Sequence, residues 1–179
     1  MRSYKLLTYK STKMLTPMAT FEKIIKDRLL IPVVVRLPSG KFYDRYLYAY
    51  PDSLKWMKET VPTLQTGRIK SAQTPAEQLI MRLQQWLSGD PIKCGPMFKE
   101  MSHPKNNDVW ELKTDDLRMF GWMYQRKKLI IAAHGYADHY KEPTKTKNYA
   151  DDVRAVMQAR DALPLDGPKL VRGNFDDLI

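Results

Sequence analysis

One stretch, residues 108–136, constrains the fold of this chain more than any other. It contains three hydrophobic segments, Val109–Thr114, Leu117–Tyr124 and Leu129–Ala133, separated by two short polar breaks. The first segment alternates apolar and polar side chains, the second is rich in aromatic residues, and the third is continuously apolar, as in a strand buried on both faces. Because the breaks are short, we predict three consecutive antiparallel strands.

An arginine near the start of the middle predicted strand is a candidate functional residue. Successive side chains of a strand point to opposite faces, so Arg118 lies on the same face as Phe120, Trp122 and Tyr124. Such an arginine can cover aromatic rings with its stem and keep its head in water. It can equally belong to a functional site, and the pattern alone leaves both interpretations open.

Titratable and aromatic side chains are concentrated after the third predicted strand. Each of them alone is typical of an amphipathic strand end, but two of the three histidines of the chain occur within six residues here, beside an acid and two tyrosines. This concentration favours a functional site. The residues are His134, Tyr136, Asp138, His139 and Tyr140.

The sequence of this region resembles a known family. WELK at 110–113, LRM at 117–119 and IIAAHGY at 130–136 follow one another as in the C-terminal core of the RelE/ParE superfamily, especially its HigB-like, phage-derived branch. The closing His139-Tyr140 pair resembles instead the YoeB-like branch. The resemblance covers about residues 96–162. Four positions depart from the family pattern: Lys113 replaces an arginine, Leu117 replaces a tyrosine, and Asp138-His139 replaces a basic pair.

The resemblance implies an α+β fold, in which a RelE-like antiparallel sheet packs with helices and follows a helical hairpin. It also implies a toxin-type, metal-independent endoribonuclease that cleaves mRNA, on the ribosome, by attack of the ribose 2′-OH on the adjacent phosphate. The expected partners are mRNA and a protein antitoxin, and no cofactor is expected. The alternative is a RelE-fold phage or mobile-element protein that has lost catalysis and binds nucleic acid or a host protein.

The same resemblance implies roles for five catalytic candidates. Arg118 would stabilise the charged phosphorane, because guanidinium is permanently charged and binds phosphate with two donors. His139 would act as acid or base, since histidine titrates near neutral pH. Tyr140 would stack on a base or relay a proton, Lys113 would support the charge, and Asp138 completes the set.

The positive charge of the chain is unevenly distributed. The net charge is +10; residues 1–107 carry 18 basic and 8 acidic side chains, whereas residues 108–179 carry 12 of each. A basic surface of this kind attracts phosphate backbones without specifying a sequence. We therefore expect the first half to supply a basic face. Its candidate RNA-binding residues are Arg36, Lys41, Arg45 and Arg82, together with Arg2, Lys5, Lys10 and Lys13 nearer the N-terminus.

The remaining patterns predict three parts. Residues 1–73 form a basic N-terminal extension with a β-hairpin at Leu30–Tyr50, around the turn signal Pro-Ser-Gly-Lys. Residues 74–163 form the RelE-like core, with a capped, amphipathic helix at 75–88 and a final helix at 149–163. Residues 164–179, which contain two glycines and two prolines, are predicted to be a flexible tail.

Several classes of protein are not expected. No stretch approaches the about 20 apolar residues of a membrane span, and the N-terminus lacks the apolar segment of a signal peptide, so a cytoplasmic protein without a membrane partner is predicted. The single cysteine, Cys94, excludes an internal disulfide and a cysteine-based zinc site. No metal site is predicted.

Overall fold

The computed structural model describes residues 19–67, 71–105 and 107–179. The basic side chains Arg2, Lys5, Lys10 and Lys13 lie outside these ranges, so their predicted role in a basic face stays a prediction.

The described residues form an α+β fold with five α-helices and six strands. The helices are α1 (Phe21–Lys26), α2 (Pro51–Lys55), α3 (Pro75–Leu87), α4 (Tyr149–Ala162) and α5 (Phe175–Leu178). The strands are β1 (Ile31–Pro32), β2 (Tyr46–Ala49), β3 (Phe98–Glu100), β4 (Trp110–Lys113), β5 (Leu117–Gln125) and β6 (Lys128–Tyr136). A π-helical turn and a 3-10 turn extend α2 to residue 63. None of these helices is long and apolar enough to cross a membrane.

All six strands belong to one sheet, in the order β1-β2-β6-β5-β4-β3. The meander of β4, β5 and β6 is antiparallel, as predicted from the alternating segments. The sheet as a whole is mixed, because β2 runs parallel to β6. The expectation of an antiparallel sheet is therefore wrong at this one pairing, where a strand from the first half of the chain lies beside the last strand of the meander.

Two cores form on opposite faces of the sheet. Helix α3 begins with a complete capping box between Thr74 and Glu77, as predicted, and buries Leu79, Leu83 and Trp86 against one face. Helix α4 buries Val153 and Val156 against the other face. We call these the α3 face and the α4 face of the sheet.

The segment Leu30–Tyr50 is not a tight hairpin. Its ends do pair antiparallel, with Ile31 opposite Ala49 and Pro32 opposite Tyr48. However, β1 contains only two residues, because Pro32 has no N–H to continue the ladder, and residues 33–45 form an irregular connection. Strand β2 joins the meander directly, so this part of the chain shares the sheet instead of standing apart from it.

Residues 164–179 pack against the sheet instead of forming a free tail. The indole of Trp122 donates to Lys169 O at 2.8 Å, and Val171 N donates to Met123 O at 2.9 Å. Leu165 and Leu178 are buried. Glycine and proline in this segment place turns between apolar anchors, which is why its composition alone suggested flexibility.

Candidate nucleic-acid interface

A buried carboxylate surrounded by three cations lies on the α4 face. The side chain of Glu111 in β4 is 1% exposed. Lys99 Nζ and Lys113 Nζ lie 3.5 Å and 3.9 Å from its Oε2, and Arg118 Nε lies 3.3 Å from its Oε1. Neither carboxylate oxygen accepts a hydrogen bond from the described residues. We call Lys99, Glu111, Lys113 and Arg118 the Glu111 cluster.

The register of the strands assembles this cluster. Lys99 of β3 lies opposite Glu111, and Lys113 lies opposite Arg118 of β5. Since side chains alternate along each strand, all four point to the same face. The flanking residues Trp110 and Leu112 point to the opposite face and are buried in the α3 core.

The guanidinium of Arg118 is engaged within the protein. Its Nη1 donates to Thr114 O at 2.6 Å and to Leu117 O at 2.8 Å, and its Nε lies 3.4 Å from Tyr149 Oη. Only 7% of the residue is exposed. The interpretation in which its head lies in water is therefore wrong. Direct binding of a phosphate would require some of these hydrogen bonds to open.

The lysines of the cluster are more accessible. The side chains of Lys99 and Lys113 are 41% and 21% exposed. Burial lowers the pKa of Lys113, the neighbouring cations Lys99, Arg118 and Lys141 lower it further, and Glu111 opposes them. An anion placed beside Lys113 would favour its charged form, so the cluster suits an anionic ligand.

Tyr140 lies on the same face as Arg118. Its hydroxyl donates to Asp152 Oδ2 at 2.8 Å, and its ring stacks on Tyr149 with centroids 4.5 Å apart. Gly135, opposite Arg118 in the register, leaves the space that the Tyr140 hydroxyl occupies. Burial, and then the hydrogen bond to Asp152, raise the pKa of Tyr140 far above its ordinary value. It therefore stays protonated, and because its ring is buried and already stacked on Tyr149, base stacking and proton relay both stay predictions.

His139 and Asp138 are directed away from the Glu111 cluster. The exposed ring of His139 lies edge-on to Tyr136, with centroids 5.6 Å apart, and Tyr136 packs on the α3 core. The Asp138 carboxylate lies close to Gly67, where an added Cβ would be 2.7 Å from Oδ2. Arg118 instead lies on the α4 face, and the action of Arg118 and His139 on one phosphate stays a prediction.

Two of the predicted RNA-binding residues, Arg45 and Lys41, contact other groups within the protein. Arg45 is 6% exposed, lies over the Trp86 ring at 5.5 Å and donates to Asp90 O at 3.1 Å. Burial lowers its pKa. Lys41 pairs with the Asp90 carboxylate at 2.5 Å. Arg45 is thus buried beside Trp86 of the α3 core, and the RNA contact predicted for it stays a prediction.

The other two RNA-binding candidates also lie away from the cluster. Arg82 lines a cavity of about 450 Å³ beside α3, and its Nη1 donates to Gln85 Oε1 at 3.1 Å. Arg36 is exposed, in the irregular connection after β1, where its carbonyl accepts from Gln84. Both belong to the side of the sheet that carries α3, so they form no contact with the Glu111 cluster.

Sequence reasoning missed Glu111, Lys99 and Tyr149. Glu111 was part of the family-like segment WELK but was not singled out, although alternation along β4 places it beside Lys113 on the polar face. Lys99 could be found only by predicting β3, which is three residues long. Tyr149 begins α4, and its approach to Arg118 depends on how that helix packs.

In residues 19–67, 71–105 and 107–179, no group of three or more His, Cys, Asp or Glu side chains is placed to hold a metal ion.

Comparisons of the chain with protein-family models, curated proteins and solved structures found no match.

Proposed function

We propose that this chain binds single-stranded RNA through its phosphate backbone at the Glu111 cluster. The observation that carries the proposal is the convergence of three cations, from three adjacent strands, on one buried carboxylate. A carboxylate that receives no hydrogen bond in this environment is a poor stabilising element, because the cost of burying its charge is only partly offset. Cations held together at such a cost are better explained by an anionic ligand than by stability.

The surroundings of the cluster add positive charge. Lys147 Nζ lies 3.5 Å from Asp152 and donates to His134 O at 2.7 Å, and Lys141 is exposed nearby, acting on Lys113. Five cations therefore face the two acids Glu111 and Asp152. This excess supplies the sequence-independent attraction that phosphate backbones require.

The arrangement of the elements supports a RelE-like fold as part of this proposal. Two helical segments, α2 with its extension and α3, precede β3 and the meander, as the family resemblance implies for the helical hairpin. Helix α4 follows the meander and covers the face that carries Arg118. The endoribonuclease activity that the HigB-like resemblance implies acts on RNA, and we therefore propose RNA in preference to another polyanion.

Metal-independent cleavage of RNA is a second candidate, favoured by one observation. His139 is exposed in the same short turn as Tyr140, at the end of β6, so an acid or base is accessible to solvent next to Tyr140 in the chain, although its ring is directed away from the Glu111 cluster. Under this candidate the ribosome and a protein antitoxin would be partners. It requires Arg118 to leave its carbonyl contacts or Lys113 to stabilise the phosphorane in its place.

Cleavage and binding can be separated with one substrate pair. Cleaving activity should persist in EDTA, leave a 2′,3′-cyclic phosphate, and vanish when the ribose at the cleaved position is replaced by deoxyribose. His139→Ala should lower the rate about 10²-fold or more, and induction of the wild-type chain should arrest growth. Intact RNA after long incubation with saturating protein would leave binding as the function.

The binding proposal is tested by removing the two accessible cations of the cluster. Single-stranded RNA should bind the Lys99→Ala/Lys113→Ala variant at least about tenfold more weakly than wild type, since each charged contact contributes of the order of 1 kcal/mol. The matched control is Lys55→Ala/Lys58→Ala, two exposed lysines on the opposite face. Equal affinity of the folded cluster variant and the control would contradict the proposal.

A further inference from the structure

A cavity with both polar and apolar lining lies next to the Glu111 cluster, between the end of β3 and the beginning of α4. Its volume is about 320 Å³, at the lower end of the range for sites that hold a small organic ligand. The lining combines one cation, two ring-bearing side chains, two small polar side chains and two apolar side chains. These residues are Lys99, His103, Tyr149, Ser102, Asn148, Met101 and Ala150.

Two contacts connect the cavity with the proposed phosphate site. Lys99 lines the cavity, and its Nζ lies 3.5 Å from Glu111 Oε2. Tyr149 also lines it, and its hydroxyl lies 3.4 Å from Arg118 Nε. A phosphate held by the cations of the cluster would therefore have the cavity as its immediate neighbour, within the reach of one nucleotide.

The aromatic lining is firmly held on one side. Tyr149 stacks on Tyr140 at 4.5 Å with an interplanar angle of 26°, and it lies edge-on to Phe120 at 5.9 Å. A ring fixed in this way presents a rigid platform, and stacking on such rings is the common means by which proteins hold unpaired bases. His103 is exposed and adds a second ring at the rim.

Hydrogen-bonding groups also line the cavity. Ser102 Oγ lies 3.0 Å from His103 Nδ1, which orients the imidazole. Asn148 Oδ1 accepts from Ala150 N at 3.0 Å and thereby caps α4. Hydroxyl, imidazole and amide groups match the donors and acceptors on the edges of bases.

We infer that this cavity is a nucleobase subsite that receives an unpaired base from the RNA strand whose phosphate lies at the Glu111 cluster. The inference rests on the proposed function and deepens it, because it names a ligand with an unstacked base. A duplex keeps its bases stacked and would not fill the cavity.

The test compares a short single-stranded RNA with an abasic ribose-phosphate chain of the same length. Wild type should bind the base-containing strand about tenfold more tightly, the order expected for one stacked base. Ser102→Trp, which fills the cavity from its rim, and His103→Ala, which removes one ring, should each lower this ratio. Ser39→Trp, at an exposed turn remote from the cavity, should leave the ratio unchanged.

The outcomes separate this inference from the proposed function. A ratio that is near one in wild type, or unaltered in folded His103→Ala and Ser102→Trp, would overturn the base subsite while leaving phosphate binding intact. The abasic chain measures phosphate binding alone. If its affinity were insensitive to Lys99→Ala/Lys113→Ala, the proposed function would fail, and the base subsite with it.

Discussion

Arg118 Nε lies 3.3 Å from Glu111 Oε1, and the two side chains are only 9% and 1% exposed. The pair joins adjacent strands at the centre of the proposed phosphate site. Burying two charges costs free energy that their attraction does not reliably repay, whereas removing one partner leaves the other uncompensated. Removing the charge of either partner should therefore lower the free energy of unfolding.

Replacing the buried carboxylate should destabilise the protein and make it responsive to anions. Glu111→Gln leaves three cations without their counter-charge, and we expect the free energy of unfolding to fall by about 3 kcal/mol. Inorganic phosphate should recover part of this loss, because an anion that binds the folded state stabilises it. Urea unfolding with and without phosphate measures both effects.

The control for this prediction is Glu59→Gln, whose carboxylate is 66% exposed and lies 4.0 Å from Lys55. A surface pair of this kind contributes little, so unfolding should be almost unchanged. If Glu111→Gln were as stable as this control and gained nothing from phosphate, the cluster would not be a charge-balanced anion site.

His134 should make stability depend on pH. It stacks on Trp56 at 4.5 Å, and burial, with Lys147 adding to it, lowers its pKa to about 4, against the opposing effect of Asp52. The unfolded chain then binds more protons than the folded chain between about pH 6.5 and pH 4. The contribution of His134 to the free energy of unfolding is fully present above that window and is lost as the pH falls through it. The loss should be on the order of 3 kcal/mol, because one pKa unit corresponds to about 1.36 kcal/mol.

Unfolding curves across this pH range check the histidine prediction. The His134→Gln variant should not show this pH-dependent loss in the free energy of unfolding, because glutamine does not titrate. His139→Gln, at an exposed position, should retain it. Parallel pH profiles for wild type and His134→Gln would contradict a neutral, buried imidazole.

The C-terminal segment should contribute to stability. Leu178 is 2% exposed in the α3 core, so Leu178→Ala should lower the free energy of unfolding by about 2 kcal/mol or more. Val34→Ala, at a residue that is 72% exposed, should change it by less than about 0.5 kcal/mol. Similar values for both variants would mean that residues 164–179 do not pack as described.

The sequence predicted those parts of the fold whose signals are local. Alternation along residues 109–124 and the apolar run that follows specify the meander, and the Thr74-Pro75 start with Glu77 specifies α3. The burial of Arg45 over Trp86 and the anchoring of Leu178 depend on contacts between distant segments. No local pattern carries that information, and both were missed.

The candidate site, like the fold, could be predicted from the sequence only in part. Strand alternation correctly placed Arg118 on the same face as Phe120 and Trp122. The position of Lys113 relative to Arg118 depends on the pairing of β4 with β5 and was not predicted. The direction of His139, however, is decided in the short turn after β6, where Tyr136 packs on the α3 core and Tyr140 packs on Tyr149. Adjacent residues in that turn face opposite sides of the sheet, which spacing along the chain could not show.

The salt dependence of RNA binding tests the central claim most directly. For each phosphate that the protein no longer neutralises, the slope of log K against log salt should become shallower by about 0.7 for a single strand. Lys99→Ala/Lys113→Ala should therefore flatten the slope by about 1.4 relative to wild type, whereas Lys55→Ala/Lys58→Ala should leave it unchanged. A slope identical in all three proteins would show that RNA phosphates do not bind at the Glu111 cluster.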